Sequence, residues 1–358
     1  MKKKLFIPGP VEVSSDVLEA MATPMIGHRT KEYAKLHERV SHGLQKLLNA
    51  EAPVFLSTSS AFGVMEGAVR NLVQKRCASF ANGAFAKKWH DVALRCGIEA
   101  DLIEVDWGSP ITPELVAATL TTGKYDVMTL VHNETSTGVM SPLKEIAEVM
   151  KGYPEVSFIV DTVSSMSAVP IDVSALGIDV CLAGVQKAFG LPPGLAVFSV
   201  SEKALRKAET TPGRGYYFDF VEFAKNAEKN NTPSTPCLSQ IFALAHQLEK
   251  MFSEGLEKRY ERHRQMAEAT REWVLAQGFS LYPEKDYCSM TLTCACNDGR
   301  TDLEKLKHLA AERGYALDNG YGKIKNETFR IAHMGDFTME DMRELFGLLE
   351  ELLPQVRS

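Results

Sequence analysis

Seven cysteines are scattered through 358 residues, and their spacing forms neither a disulfide framework nor a metal-ligand pattern. Cys294 and Cys296 stand too close for a zinc-type pair, and no partner pair follows. Reduced thiols and no metal are the expectation. Long apolar runs are missing too, so nothing approaches the roughly 20 residues of a membrane-spanning helix. The basic start Lys2-Lys3-Lys4 meets Pro8-Gly9-Pro10 after only three apolar residues, too few for a signal-peptide core. Positive charge is not in excess: net charge is −6, which argues against nucleic acid as a partner. No loop ends in the Gly-Lys-Ser/Thr of a Walker motif. Internal repeats, low-complexity tracts and long flexible linkers are absent as well. Together these absences point to a cytoplasmic protein that binds neither membrane nor nucleic acid.

What remains is ordinary globular composition, 45% hydrophobic and 24% charged. The length suits one large and one small domain, expected over 1–245 (including the N-terminal segment) and 246–358. Short apolar runs at Val54–Thr58, Ala78–Phe80, Leu102–Val105, Val127–Val131, Phe158–Val160, Val180–Ala183 and Ala196–Val200 read as strands. Helical patterns at Ser60–Leu72, Phe85–Arg95, Pro113–Leu120 and Leu143–Met150 fall between them. The fold class is therefore α/β, with a mostly parallel sheet covered on both faces. Two Pro/Gly-marked loops, 210–217 and 230–236, precede long helices at Leu238–Phe252 and Glu257–Gln277. A smaller α/β domain follows: strand Ser289–Ala295, helix Leu303–Arg313, strand Phe329–Ala332 and helix Met339–Leu352.

Ligands of open α/β sheets bind beyond the carboxyl ends of the strands. Lys187 follows the 180–183 strand in an apolar, Gly- and Pro-rich turn without a nearby acid in sequence. Most lysines are merely solvated, but desolvation would yield the neutral amine that attacks a carbonyl carbon. Asp161 ends the 158–160 strand, where it either caps the next turn or faces a ligand. Ser57-Thr58-Ser59-Ser60 leads into a helix start, which suits either a phosphate or an ordinary cap. The run from His132 to Gly138 offers several polar side chains after another strand, and by itself fits a solvated loop equally well.

The order of these pieces resembles the class V, fold-type I aminotransferases that depend on pyridoxal 5′-phosphate (PLP), especially the alanine/serine–glyoxylate/pyruvate group. Asn133-Glu134-Thr135-Ser136-Thr137-Gly138, Val160-Asp161-Thr162-Val163-Ser164-Ser165, Gln186-Lys187-Ala188, Pro192-Pro193-Gly194 and Phe329-Arg330-Ile331 carry the likeness. It implies a fold-type I large domain, a smaller C-terminal domain and a set of roles. Lys187 bonds the cofactor and moves the substrate proton, and Asp161 pairs with the pyridine nitrogen. Val163 and Phe85 flank the ring, and Thr135 meets its phenolic oxygen. Ser60, Ala61, Phe62 and Gln186 stand where phosphate is bound, although the Phe62 side chain offers it nothing. Arg330 clamps the substrate carboxylate. The segment from Asn231 and Thr232 to Pro236, and the segment around Arg29, resemble pieces that cross a homodimer interface, with Arg29 bordering the substrate pocket.

That resemblance implies transfer of an amino group from alanine or serine to a 2-oxo acid such as glyoxylate or pyruvate. Phosphoserine or aspartate is the alternative donor, because Arg29 suits a phosphate or a distal carboxylate. A cysteine desulfurase usually has His before its lysine and a reactive loop cysteine; here Gln186 and a strand-like run around Cys294 stand instead. A PLP-binding scaffold without catalysis usually carries a DNA-binding segment, for which this chain has neither room nor charge. An aldolase-type lysine explains Lys187 but not Asp161 or Gln186.

Overall fold

The computed structural model describes residues 3–357. Seven strands form the central sheet: β1 (Val54–Ser57), β2 (Cys77–Ala81), β3 (Ala100–Glu104), β4 (Val127–Val131), β5 (Ser157–Asp161), β6 (Val180–Gly184) and β7 (Ala196–Val200). Their spatial order is β1-β7-β6-β5-β4-β2-β3. Strands β6, β5, β4, β2 and β3 run parallel, and β7 is antiparallel to both its neighbours. The expected mostly parallel α/β sheet is thus present.

Alternation along each strand divides the core between two faces. Leu56, Met128, Leu130, Phe158 and Val160 face one layer, which includes helices α1 (Ser15–Met21), α2 (Lys31–Leu48), α5 (Pro113–Leu120), α6 (Leu143–Met150) and α9 (Leu238–Glu254). Phe55, Val127, Val131, Ile159 and Leu182 face the other, built from α3 (Ala61–Leu72), α4 (Ala84–Arg95), α7 (Glu202–Thr210) and α8 (Phe220–Ala227). Because both faces are covered, the central strands read as unbroken apolar runs rather than alternating ones.

The C-terminal unit stacks α10 (Leu256–Ala276), α11 (Leu303–Glu312) and α12 (Met339–Leu352) on an antiparallel sheet. That sheet holds β8 (Ser280–Leu281), β9 (Leu292–Cys296) and β10 (Thr328–Ala332). Strand β9 starts three residues later than the pattern suggests, because Ser289 Oγ accepts the N–H groups of Thr291 and Leu292 and holds a turn there. Residue 245 falls within α9, whose Leu248 and Met251 pack with the large sheet's core. Gly255, at φ +89°, then turns the chain into α10.

Two features tie the units together. Lys4–Leu5 pairs in parallel with Tyr315–Ala316, and Phe6 lies in the C-terminal core, while Val11 N–H reaches Gln186 O at 3.2 Å. From the start of α10, the 1% exposed Arg259 donates to Ser167 O (2.9 Å) and Ala188 O (2.7 Å). The same guanidinium faces Glu254 and Asp336, both at 3.4 Å.

Candidate active site

Strands β5 and β6 are parallel neighbours, with Asp161 opposite Leu182, so the loops leaving their carboxyl ends converge. The loop after β6 folds back on itself: Val185 N–H bonds Leu195 O at 3.1 Å and Gly190 N–H bonds Lys187 O at 2.8 Å. This tucks Lys187 inward, where it is 8% exposed. Its ammonium donates to the carbonyl of Pro8. A Cβ on Gly9, whose φ is +120°, would lie 2.7 Å from the Lys187 Cδ, so only glycine admits the lysine here. Burial, reinforced by the charge of Arg330, pushes the lysine down to about 7. Asp161, Glu134 and Asp318 pull the other way. A large share of the amine is therefore neutral and nucleophilic near neutral pH.

Asp161 is equally buried. Its Oδ1 accepts Val163 N–H at 2.9 Å and its Oδ2 accepts the Trp89 indole N–H at 3.2 Å. Burial raises its carboxyl to about 6 against these two donors. A carboxylate in that range holds a proton on a neighbouring basic nitrogen once it is ionised.

Helix α4 is anchored from the loop that follows β4. The fully buried Glu134 accepts the N–H of Ala86 (2.7 Å) and both the N–H (2.9 Å) and hydroxyl (2.7 Å) of Ser136. Ser136 Oγ in turn accepts the N–H of Ala84 at 2.9 Å. A Cβ on Gly83 would sit 2.3 Å from the Glu134 side chain, which explains the glycine before the helix. So held, α4 places Phe85 with its ring centroid 5.9 Å from the Lys187 Nζ. Tyr321, from the loop before β10, stacks on Phe85 at 5.1 Å.

Thr135 shares a 2.5 Å hydrogen bond with Ser164, and its carbonyl accepts from Arg330 Nη1 at 2.7 Å. Arg330, on β10, also grips Asp318 through Nε (2.7 Å) and Nη2 (2.9 Å). Of the five guanidinium protons these bonds use three, which leaves one on Nη1 and one on Nη2 for a second carboxylate. Ser60 caps α3 without a side-chain bond to its first turn, and the Ala61 and Phe62 amides have no intrahelical acceptor. The Phe62 ring instead lies under the Lys88 ammonium at 5.2 Å. Gln186 lies against Gly184, where a Cβ would come within 2.4 Å of its side-chain oxygen.

The structure thus gathers Lys187, Asp161, Val163, Phe85, Thr135 and Arg330. It places Arg29 elsewhere, in a groove of about 360 Å³ shared with Asn231. Thr232, buried beside that groove, bonds Ser234 O at 2.7 Å and meets the Tyr33 hydroxyl at 3.5 Å. No hydrogen bond, ion pair or ring contact among the described residues joins Arg29, Asn231 or Thr232 to Lys187, Asp161 or Arg330. Trp89, Ser164, Asp318, Tyr321 and the Pro8-Gly9 contact escaped the sequence reading; only Trp89, one helical turn after Phe85, had a legible spacing.

A buried amine, a buried acid beside it, a helix start with open N–H groups and a partly engaged arginine are the donor set that PLP and an amino acid require. The residues present fit the cofactor. The family model for class V aminotransferases matches residues 13–324. An uncharacterized aminotransferase of Methanocaldococcus jannaschii is 37% identical, covering 94% of this chain and 88% of its own. The serine–glyoxylate aminotransferase of Methylorubrum extorquens is 32% identical over 94% of this chain and 87% of its own. Among solved structures, an alanine–glyoxylate aminotransferase from Nostoc sp. superposes with a TM-score of 0.93 at 27% identity, covering 99% of this chain and 96% of that one. With its converging lysine and aspartate, the chain belongs to the class V aminotransferases.

Proposed function

We propose that this aminotransferase uses PLP to move the amino group of a small L-amino acid, alanine or serine, to a 2-oxo acid such as glyoxylate or pyruvate. The observation that carries the reading is the meeting of Lys187 and Asp161 at the carboxyl ends of adjacent parallel strands. The glyoxylate-linked names of the Methylorubrum and Nostoc relatives support the acceptor class. When bound, PLP supplies the electron sink that makes the substrate α-proton acidic.

The chain's own groups do the rest. Lys187, with its lowered proton affinity, takes the α-proton and returns it on the far side of the transfer. Asp161 keeps a proton on the ring nitrogen, and Val163 and Phe85 enclose the ring. Thr135 donates to the phenolic oxygen, while Ser60, Ala61, Phe62 and Gln186 supply the phosphate end. Arg330 presents its outer edge to the substrate carboxylate, held square by Asp318 and the Thr135 carbonyl. Asn231, Thr232 and Arg29 complete the partner's site in a homodimer, and the protein works in the cytoplasm.

Loading with PLP, borohydride reduction and peptide mapping test the reading. The expected result is a yellow protein whose cofactor borohydride fixes to Lys187, and, in an unreduced sample, a spectrum that changes on adding alanine and reverts with glyoxylate. A colourless protein after incubation with excess PLP would sink it.

A further inference from the structure

We propose that Trp89 is a positioning residue for Asp161, its indole N–H fixing the carboxylate that serves the cofactor's ring nitrogen. The inference rests on the PLP reading above and goes beyond it by assigning a part to a residue outside the expected set.

The geometry is unusually constrained. Trp89 is 1% exposed and Asp161 3%, so water does not substitute for either partner. Indole has a single donor and no acceptor, and here that donor goes to Asp161 Oδ2. Val163 N–H takes the other oxygen. Two donors on two different oxygens fix the rotation of the carboxylate about its Cβ–Cγ bond. Each oxygen still keeps a lone pair for the ring nitrogen.

Placement of the indole is itself determined by the site. Trp89 lies four residues after Phe85, so the two project from one face of α4. The first turn of that helix hangs on Glu134 and Ser136, beside Thr135. One rigid helix therefore sets both the ring-flanking aromatic and the acid's second donor. Without the indole N–H, the buried carboxylate loses one of the two donors that oppose its desolvation, and its protonated form gains ground.

Two replacements separate the N–H from the bulk: Trp89→Phe, and Trp89→benzothienylalanine, an isostere with sulfur in place of the N–H. Apoprotein of each is reconstituted with PLP. The expected result for both is PLP affinity weakened about ten- to a hundredfold. The acid limb of the cofactor's absorbance titration should move to higher pH. The half-reaction rate should fall, with the apparent affinity for alanine unchanged because Arg330 is untouched. Wild-type PLP affinity and an unshifted titration in the isostere would overturn the proposal. This holds even if Trp89→Phe is impaired, since that pattern marks a packing role. Failure of the wild-type protein itself to take up PLP is a separate outcome, which overturns the cofactor reading and the inference with it.

Discussion

Lys187 gives the clearest test at the scale of single residues. The unfolded chain holds its proton up to the ordinary 10.5, whereas the folded chain releases it near 7. Between those values the unfolded state binds more protons, so this group makes the apoprotein more stable as pH rises. Its cost is fully present below about pH 7 and fades toward 10.5. Lys187→Met removes the cost, so apoprotein of the variant should melt above wild type at pH 6.5, and the gap should shrink by pH 9. Thermal unfolding at both pH values reads this directly. The same variant should lose about 10²- to 10⁴-fold in half-reaction rate, as measured by stopped-flow absorbance. Lys187 and Asp161 were legible because they stand at or just beyond strand ends, where the fold class says to look, whereas Thr135 was marked only by the family resemblance. Asp318 was not, because nothing local marks a residue whose partner, Arg330, sits across a separate turn.

Helix α4 shows what one element contributes. Its propensity is unexceptional; what fixes it is the buried Glu134 beneath its first turn. Glu134→Ala leaves the N–H groups of Ala86 and Ser136 unpaired in a dry site, and should cost about 3 kcal/mol in urea unfolding. The same change should weaken PLP binding by releasing Phe85 and Trp89 together. Element boundaries were largely readable: Val127–Val131, Ala196–Val200, Pro113–Leu120 and Met339–Leu352 match the sequence pattern residue for residue. Strands covered on both faces announce themselves as apolar runs, and Thr112-Pro113 marks a helix start through its cap and first-turn proline. Helices α1, α2, α7 and α8 went unassigned: α1, α7 and α8 bury only one or two residues each, too few to show a period, whereas α2 carries a legible stripe at Tyr33, Leu36, Val40, Leu44 and Leu47 ahead of β1.

At the scale of the whole molecule, two arrangements make predictions. Arg259 joins the Lys187 loop, the segment after Asp161 and the C-terminal unit. Arg259→Met should strip the buried Ser167 and Ala188 carbonyls and Asp336 of their partner, lowering stability by about 3–5 kcal/mol in chemical denaturation. The second arrangement is the proposed homodimer, in which Asn231 and Thr232 serve the partner's cofactor. Coexpressing Lys187→Ala with an inactive Thr232→Val chain should restore about a quarter of wild-type activity through mixed dimers carrying one intact site. Activity no higher than that of the separate variants would place both groups in the same chain's site. Which chain supplies a residue is a property of assembly, suggested in the sequence only by the family resemblance of the 231–236 segment.

The N-terminal strand has a consequence for biosynthesis. Residues 4–11 are made before the sheets they join, yet Lys4–Leu5 pairs with Tyr315–Ala316 while Pro8 and Val11 close against Lys187 and Gln186. Translation proceeds from the amino end, so Lys4 and Leu5 wait without their strand partners until Tyr315 and Ala316 have emerged. The large sheet can assemble on a nascent chain, but the strand pairing that ties the segment under Lys187 to the C-terminal unit forms only after Ala316 is made. A product halted before Tyr315 therefore lacks the pairing that ties the segment under Lys187 to the C-terminal unit.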